Sequence, residues 1–276
     1  MKKIIASDGA TIAYRLHVQP DAKHRFLLFH SLGMTAEFWE PITKKIGGQA
    51  SVLAIDCRGH GASSTAPIPY SASRMAQDGL EVMNRVGWDR ATIAGASMGG
   101  CIAMQFAIDH PASSLGLVLI DTTAWYGSSA PAEWKARGEK ALSDGFEAMI
   151  TFQQTRWFSE SFLASNPKTV STYTNIFLKN DAIAFTETCR MLGSFDAREG
   201  LAKLALPVGI VVGEHDSATP VNMARFLNSS IRGSTIKIIP GAKHLTPLET
   251  PTEVSAFLLE IAKAARLTAD LTNDPL

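Results

Sequence analysis

The feature that most constrains the fold is an alternation, along the chain, of short apolar segments with longer segments of helical periodicity. This alternation is typical of a mostly parallel β-sheet covered by helices. Strands are predicted for eight segments: Lys3–Ala6, Thr11–Val18, Phe26–Phe29, Ser51–Ile55, Ala91–Ala94, Gly116–Ile120, Val208–Val212 and Thr235–Ile239. The first two flank the turn Asp8-Gly9, which indicates a hairpin. The clearest helices are predicted at Ser71–Val86, Met98–Asp109 and Thr252–Ala265.

One segment, residues 124–195, contains no convincing strand but several helical patches. It holds three of the five tryptophans and seven of the thirteen phenylalanines. We expect most of these aromatic side chains to be core. The segment is predicted to be a helical lid, or cap, inserted between strands six and seven, whose underside offers an apolar wall to a substrate. Residues 1–123 and 196–276 are expected to form a single core domain.

Composition excludes several classes of function. Lys and Arg (26) balance Asp and Glu (26), which argues against nucleic-acid or anionic-membrane partners. The N-terminal apolar stretch is interrupted at Ser7–Gly9 before it reaches the length that a signal peptide needs. No segment approaches the roughly 18 apolar residues of a membrane span. Cys57, Cys101 and Cys189 are scattered, so neither disulfides nor a zinc site is predicted, and a cytoplasmic location fits best. With no metal-ligand cluster or phosphate-binding loop, no cofactor is predicted.

A candidate nucleophile lies in Gly95-Ala96-Ser97-Met98-Gly99, which matches the pattern G-x-S-x-G. A predicted strand leads into the pattern and a predicted helix follows it. A serine at such a sharp strand-to-helix turn has a strained backbone, which raises its hydroxyl above the sheet edge. The N-terminus of the helix also favours negative charge that develops nearby. Ser97 is therefore predicted to be a nucleophile.

A serine hydroxyl needs a base within hydrogen-bond distance. Of the seven histidines, His244 follows the predicted strand Thr235–Ile239 and the turn Pro240-Gly241, so it falls on a loop at the carboxyl edge of the sheet. The acid that orients this base is expected in Gly213-Glu214-His215-Asp216, after the strand Val208–Val212. We favour Asp216, with Glu214 and Asp121 as the alternatives.

Acyl transfer also requires two donors for the oxyanion. The N–H of Met98, directly after the nucleophile, is one candidate. The loop His30-Ser31-Leu32-Gly33, after the strand Phe26–Phe29, is expected to supply the N–H of Leu32 as the other. Gly33 permits the close turn that this requires, and His30 is expected to brace the loop.

These motifs together resemble the α/β-hydrolase superfamily from Lys3 to about Ala265. The matching features are His30-Ser31-Leu32-Gly33, Asp56-x-Arg58-Gly59-x-Gly61-x-Ser63, Gly95-x-Ser97-x-Gly99, Gly213-x-x-Asp216 with Pro220, and His244. The resemblance implies an α/β-hydrolase fold, with a mostly parallel eight-stranded sheet flanked by helices. The chain order Ser, Asp, His is the one that this fold uses.

Within the superfamily the chain is most similar to 3-oxoadipate enol-lactonases. The features that carry this similarity are Ser31-Leu32-Gly33-Met34, Ser97-Met98-Gly99-Gly100, Trp134, Arg156-Trp157-Phe158 and Asp196-Ala197-Arg198. The similarity implies hydrolysis of an enol-lactone in aromatic-acid degradation, with Trp134, Arg156 and Trp157 as substrate contacts. Such a substrate carries a carboxylate that does not react, and this charge requires a cationic or multiply donating side chain in the pocket. The candidates for that partner are Lys135, Arg137, Arg156, Arg190 and Arg58.

Other functions remain open on the same scaffold. The triad would also serve a general carboxylesterase, a carbon–carbon bond hydrolase or a cofactor-free perhydrolase. A binding or receptor protein without turnover is the alternative from another class, because fold alone does not prove activity. The expected partner is a small-molecule ester or lactone.

Overall fold

The computed structural model describes residues 1–271, so the last five residues of the expected core domain lie outside the described part. Eight strands form one sheet: β1 Lys2–Ile5, β2 Thr11–His17, β3 His24–Phe29, β4 Ala50–Ile55, β5 Ala91–Ala96, β6 Ser114–Ile120, β7 Val208–Gly213 and β8 Thr235–Ile239. Every predicted strand is confirmed, because the observed ends differ from the predicted ones by at most two residues.

The strand order in the sheet is β1-β2-β4-β3-β5-β6-β7-β8. β1 and β2 form an antiparallel hairpin, and β2 pairs antiparallel with β4. All other pairs are parallel, so the carboxyl ends of β3 to β8 lie at one edge. Loops that leave this edge can therefore bring distant parts of the chain together, which is the usual place for a site in such sheets.

Helices within residues 1–271 flank the sheet and follow its strands. They are α1 Glu40–Ile46, α2 Ala72–Arg85, α3 Met98–Asp109, α4 Ala130–Asp144, α5 Ile150–Trp157, α6 Glu160–Ser165, α7 Pro167–Leu178, α8 Ala182–Gly193, α9 Val221–Ser230, α10 Thr246–Glu249 and α11 Pro251–Leu271. α3 packs on β3, β5 and β6, and α11 packs on β5, β6 and β7. α2 begins where the Ser71 hydroxyl accepts a hydrogen bond from the N–H of Arg74 (3.1 Å), as expected of a serine cap.

Residues 124–195 contribute helices α4 to α8 and no strand, apart from an isolated bridge between Trp125 and Asp196. Their aromatic side chains form a cluster in which the ring of Phe177 lies 5.2 Å from the rings of Phe146 and Trp157. All three of these rings are buried, as expected for core aromatics. The cluster holds the helices together through edge-to-face contacts.

The three cysteines are free and buried in different parts of the chain. Burial raises the pKa of the Cys101 thiol to about 11, that of Cys189 to about 12 and that of Cys57 further. Within residues 1–271, no helix combines the length and the apolar character that crossing a membrane requires.

Candidate active site

Ser97 occupies the turn between β5 and α3 in a strained backbone conformation. Its φ is +54°, a region that non-glycine residues rarely adopt. The turn closes only because glycines flank it. A Cβ on Gly95 would lie 1.9 Å from the carbonyl oxygen of Gly99, and a Cβ on Gly99 would lie 2.0 Å from that of Phe29. This close packing presents the serine at the carboxyl edge of the sheet.

The loops after β7 and β8 bring Asp216 and His244 to this serine. The His244 Nε2 lies 2.9 Å from Ser97 Oγ, and its Nδ1 lies 2.8 Å from Asp216 Oδ2. All three residues are at most 7% exposed. Since the carboxylate can only accept at Nδ1, that nitrogen carries the proton and Nε2 is free to accept the hydroxyl proton of Ser97. The geometry is that of a nucleophile with an oriented base.

Asp216 is held by four donors. Its Oδ1 accepts from the N–H groups of Ala218 (2.7 Å) and Thr219 (2.9 Å), while its Oδ2 accepts from the Thr219 hydroxyl (2.8 Å) and from His244. Burial opposes ionisation of this carboxyl, but its interaction with His244 and the hydrogen bonds from Thr219 outweigh it and lower its pKa. Asp216 is therefore present as a carboxylate.

The two alternative acids, Asp121 and Glu214, form hydrogen bonds with other groups. Asp121 is fully buried and accepts from the N–H of Gly213 (3.1 Å) and from the N–H (3.0 Å) and hydroxyl (2.7 Å) of Thr246. Burial and the charge of Asp216 raise the pKa of Asp121. Glu214 is exposed and accepts from the N–H of Gly241 (2.9 Å). Neither carboxylate forms a hydrogen bond with His244, so Asp216 is the acid that the structure places against the histidine.

The predicted oxyanion donors flank the serine. Met98 is the first residue of α3, and Leu32 lines the same cavity as Ser97. Within residues 1–271, neither backbone N–H donates a hydrogen bond to a protein acceptor. Both amides are therefore available to a ligand. Gly33 has φ +74°, which fits the close turn expected after Leu32.

Two buried histidines support this loop. His30 Nδ1 donates to the carbonyl of Ser31 (2.8 Å), and His30 Nε2 accepts from the N–H of Cys57 (2.9 Å). The His60 ring packs edge-on against it at 5.1 Å. Burial lowers the pKa of His30 to about 4 and that of His60 to about 3. Both rings are neutral, and His30 joins the loop after β3 to the loop after β4.

A cavity of about 660 Å³ opens above Ser97 and His244. The predicted substrate contacts Trp134, Arg156 and Trp157 all line it. Sequence reasoning gave no role to several other lining residues: Tyr126, Glu133, Lys140, Gln153 and Thr219. Of these, only Thr219 had a recognisable signal, since a Thr three residues after an Asp is typical of a turn in which the Asp carboxylate accepts local donors.

Two of the five candidate cations, Arg137 and Arg156, line this cavity. Arg137 Nη2 donates to Gln153 Oε1 (2.6 Å), and its guanidinium lies over the Trp134 ring at 5.1 Å. The Nε of Arg137 is buried without a hydrogen-bond partner. Burial and the charge of Arg156 lower the pKa of Arg137 to about 10, and burial also lowers that of Arg156. Within residues 1–271, neither arginine forms an ion pair with an acidic side chain.

The other three cations are paired away from the cavity. Arg58 is buried and bonds to Asp78 (3.0 and 2.8 Å) and to Asp8 (2.8 Å), so its charge is used in structural ion pairs. Lys135 is exposed and forms an ion pair with Glu139 one turn along α4. Arg190 forms an ion pair with Glu187 on the surface of α8. These residues are not available to a ligand in the cavity. No cluster of three or more metal-ligating side chains is found among residues 1–271.

Known proteins resemble this chain along most of its length. A 3-oxoadipate enol-lactonase of Acinetobacter baylyi is 26% identical over 91% of this chain and 92% of its own. A pimeloyl-[acyl-carrier protein] methyl ester esterase of Pseudoalteromonas atlantica is 24% identical over 86% of this chain and 92% of its own. The crystal structure of a hydrolase from Pseudomonas aeruginosa superposes with a TM-score of 0.88 and 27% identity, covering 94% of this chain and 97% of that one.

These similarities agree with the predicted fold and with the resemblance stated from the motifs. The family model described as the alpha/beta hydrolase family matches residues 26–257, which contain Ser97, Asp216 and His244. The chain therefore belongs to the alpha/beta hydrolase family.

Proposed function

We propose that the protein is a serine hydrolase that cleaves a carboxylic ester or lactone through an acyl-enzyme. The observation that carries this proposal is the continuous hydrogen-bond chain from Ser97 Oγ through His244 to Asp216. In that chain His244 takes the hydroxyl proton as Ser97 attacks the carbonyl carbon, and Asp216 stabilises the imidazolium that results. The N–H groups of Leu32 and Met98 bind the oxyanion.

The second half of the reaction uses the same groups. His244 first gives its proton to the leaving oxygen, and the acyl group stays on Ser97. His244 then takes a proton from a water molecule, whose oxygen attacks the acyl carbon. His244 gives that proton to Ser97 Oγ as the acyl bond breaks, which releases the carboxylic acid and restores the serine hydroxyl. With a lactone the leaving oxygen belongs to the same molecule, so one product results.

Loss of the nucleophile tests this proposal directly. Ser97→Ala should abolish hydrolysis of p-nitrophenyl acetate and labelling by a serine-directed phosphonate. His244→Ala should be nearly as damaging, and the double variant hardly worse, because the two residues act as one unit. Ser97→Ala activity above a tenth of the wild-type value would contradict the assignment, and a well-folded wild type without turnover would favour a binding protein.

For the substrate, we propose a lactone or ester that carries a second, unreactive carboxylate, such as 3-oxoadipate enol-lactone. Arg137 and Arg156 support this, because two half-buried cations that have no acidic partner within residues 1–271 repel each other, and a bound carboxylate relieves both charges. In this proposal residues 124–195 form the lid, Arg156 binds the carboxylate, and Trp134 and Trp157 form walls over the ring. The A. baylyi enol-lactonase similarity points to the same substrate class.

The substrate proposal is tested by comparing a carboxylate-bearing lactone with its neutral methyl ester. We expect a higher kcat/KM for the charged lactone, and the preference should shrink as the salt concentration rises. Arg156→Gln should remove the preference while p-nitrophenyl acetate turnover is kept. Lys135→Gln is the matched control, because it removes a lid cation that is paired on the surface. A preference for the neutral ester would instead indicate a general carboxylesterase.

A further inference from the structure

The loop that carries His244 is bonded directly to the lid. The N–H of His244 donates to the carbonyl of Arg156 (3.4 Å), and the N–H of Leu245 donates to the carbonyl of Trp157 (3.1 Å). These two carbonyls belong to the last turn of α5, which has no further helical donors for them. The backbone that presents the proposed substrate contacts Arg156 and Trp157 therefore also holds the proposed base.

Glu249, at the end of α10, bridges the same two parts of the chain with its two oxygens. Its Oε2 accepts from the N–H of Lys243 (3.1 Å), the residue before His244. Its Oε1 accepts from the N–H of Ser159 (3.2 Å), two residues beyond Trp157 in the lid. One carboxylate thus fixes the His244 loop and the lid turn relative to each other.

This bridge requires a carboxylate. Each oxygen of Glu249 faces a backbone N–H, so both must accept. A glutamine has one accepting oxygen and one donating amide, and would therefore set an N–H donor against either Lys243 or Ser159. Hydrogen bonds to charged groups are also the stronger ones. Within residues 1–271, the Glu249 carboxylate forms no hydrogen bond with Ser97 or His244, so its effect on the reaction must pass through the loop.

We propose that Glu249 is a positioning residue for the reaction, which holds His244 in line with Ser97 by tying its loop to the lid turn. This inference rests on the proposed function of Ser97 and His244. When the bridge is lost, the His244 loop gains freedom and the imidazole spends less time within hydrogen-bond distance of Ser97 Oγ. The cost falls on the chemical steps. Binding of a small neutral ester should change little, because such an ester has no carboxylate for Arg156 to bind.

The test is Glu249→Gln in the full chain, with exposed Glu253→Gln in α11 as the matched control. We expect kcat for p-nitrophenyl acetate to fall about tenfold or more while KM stays close to wild type. The rate of phosphonate labelling of Ser97 should fall in parallel. The low-field proton resonance of the hydrogen bond between His244 Nδ1 and Asp216 should broaden or disappear. A purely structural role would lower the melting temperature and leave kcat and this resonance unchanged, and that result would overturn the proposal.

A second pair of variants decides the matter if Glu249→Gln does not fold. Ser159 has φ −64°, which proline adopts, and Phe158 has φ −130° and ψ 148°, which suit a residue before proline. Ser159→Pro removes the N–H that Glu249 binds. Ser159→Ala removes only the hydrogen bonds of the serine hydroxyl, to the N–H of Phe162 and the hydroxyl of Ser161, and keeps the N–H. We expect kcat to be lower for Ser159→Pro than for Ser159→Ala, and equal values would overturn the proposal.

The Ser97 and Glu249 variants test the two roles separately. If Ser97→Ala keeps its activity, the proposed function is wrong whatever Glu249 does. If Ser97→Ala is inactive and Glu249→Gln has wild-type kcat, only the role of Glu249 is wrong.

Discussion

Asp216→Asn tests the orientation of His244 by changing as few atoms as possible. In the wild type, each carboxylate oxygen accepts two hydrogen bonds, Oδ1 from backbone N–H groups and Oδ2 from the Thr219 hydroxyl and His244. An asparagine offers one oxygen and one NH₂ group. The two possible placements of the amide differ in which pair of donors keeps its acceptor.

The backbone donors decide between the two placements. The N–H groups of Ala218 and Thr219 cannot change role, so the amide oxygen takes the position of Oδ1. The NH₂ group then faces His244, which can respond by moving its proton from Nδ1 to Nε2. In that tautomer Nε2 cannot accept the Ser97 proton. We expect kcat to fall by about 10⁴-fold, equivalent to about 5 kcal/mol in the activation free energy.

Asp121→Asn is the matched comparison, because it makes the same change in the neighbouring buried acid. An amide oxygen in the place of Oδ2 keeps both bonds from Thr246, and only the bond from the N–H of Gly213 is lost. We expect a loss of about 1–3 kcal/mol in the free energy of unfolding and a much smaller loss of kcat. The assay is p-nitrophenyl acetate hydrolysis together with urea unfolding. If Asp121→Asn proves the more damaging to kcat, the assignment of the acid is wrong.

Three further predictions follow from the loops around the site. Leu32→Pro removes a proposed oxyanion donor and should lower kcat by roughly 10²–10³-fold, whereas Leu32→Met should keep most activity; equal kcat values for the two would count against the assignment. Gly95→Ala should fail to fold or lose several kcal/mol in urea unfolding, since its Cβ would overlap the Gly99 carbonyl, and wild-type stability would contradict this packing. His30 and His60 stay neutral in the folded protein, whereas in the unfolded chain each histidine takes up a proton below the ordinary pKa of 6.5. The free energy of unfolding should therefore fall as the pH drops from about 6.5 towards 4. Each should contribute about 1.4 kcal/mol per pH unit, and His60→Gln should remove its share of the slope; an unchanged slope would refute this.

Local sequence patterns were sufficient to predict the strands and the serine turn. The strand β5, the glycines around Ser97 and the helix after it are adjacent in the chain, so their periodicity and small residues predict the turn directly. His244 was predicted in the same way, because it directly follows a strand and a tight turn. The order of the strands was not predicted, since it depends on pairings between segments far apart in the chain.

Long-range contacts account for what the sequence left open. Asp121 and Asp216 both follow buried strands. The local sequence does not indicate that the first carboxylate accepts hydrogen bonds from Thr246 while the second accepts one from His244. Likewise, five basic residues were candidates for the partner of the substrate carboxylate, and only Arg156 was singled out among them, by its place beside Trp157. The packing of α4 and α5 around the cavity brings Arg137 to the same place as Arg156 and separates both from the other three.

The three buried thiols can be used to measure local unfolding of this protein. Thiolates, not thiols, react with maleimides, so raised pKa values and burial protect all three cysteines in the native state. Cys57 lies after β4, Cys101 lies one turn beyond Ser97, and Cys189 lies in α8. Labelling at low reagent concentration, read by mass spectrometry, would therefore measure how often each region opens. The order in which the three positions are labelled would show whether residues 124–195 open independently of the sheet, without any substrate.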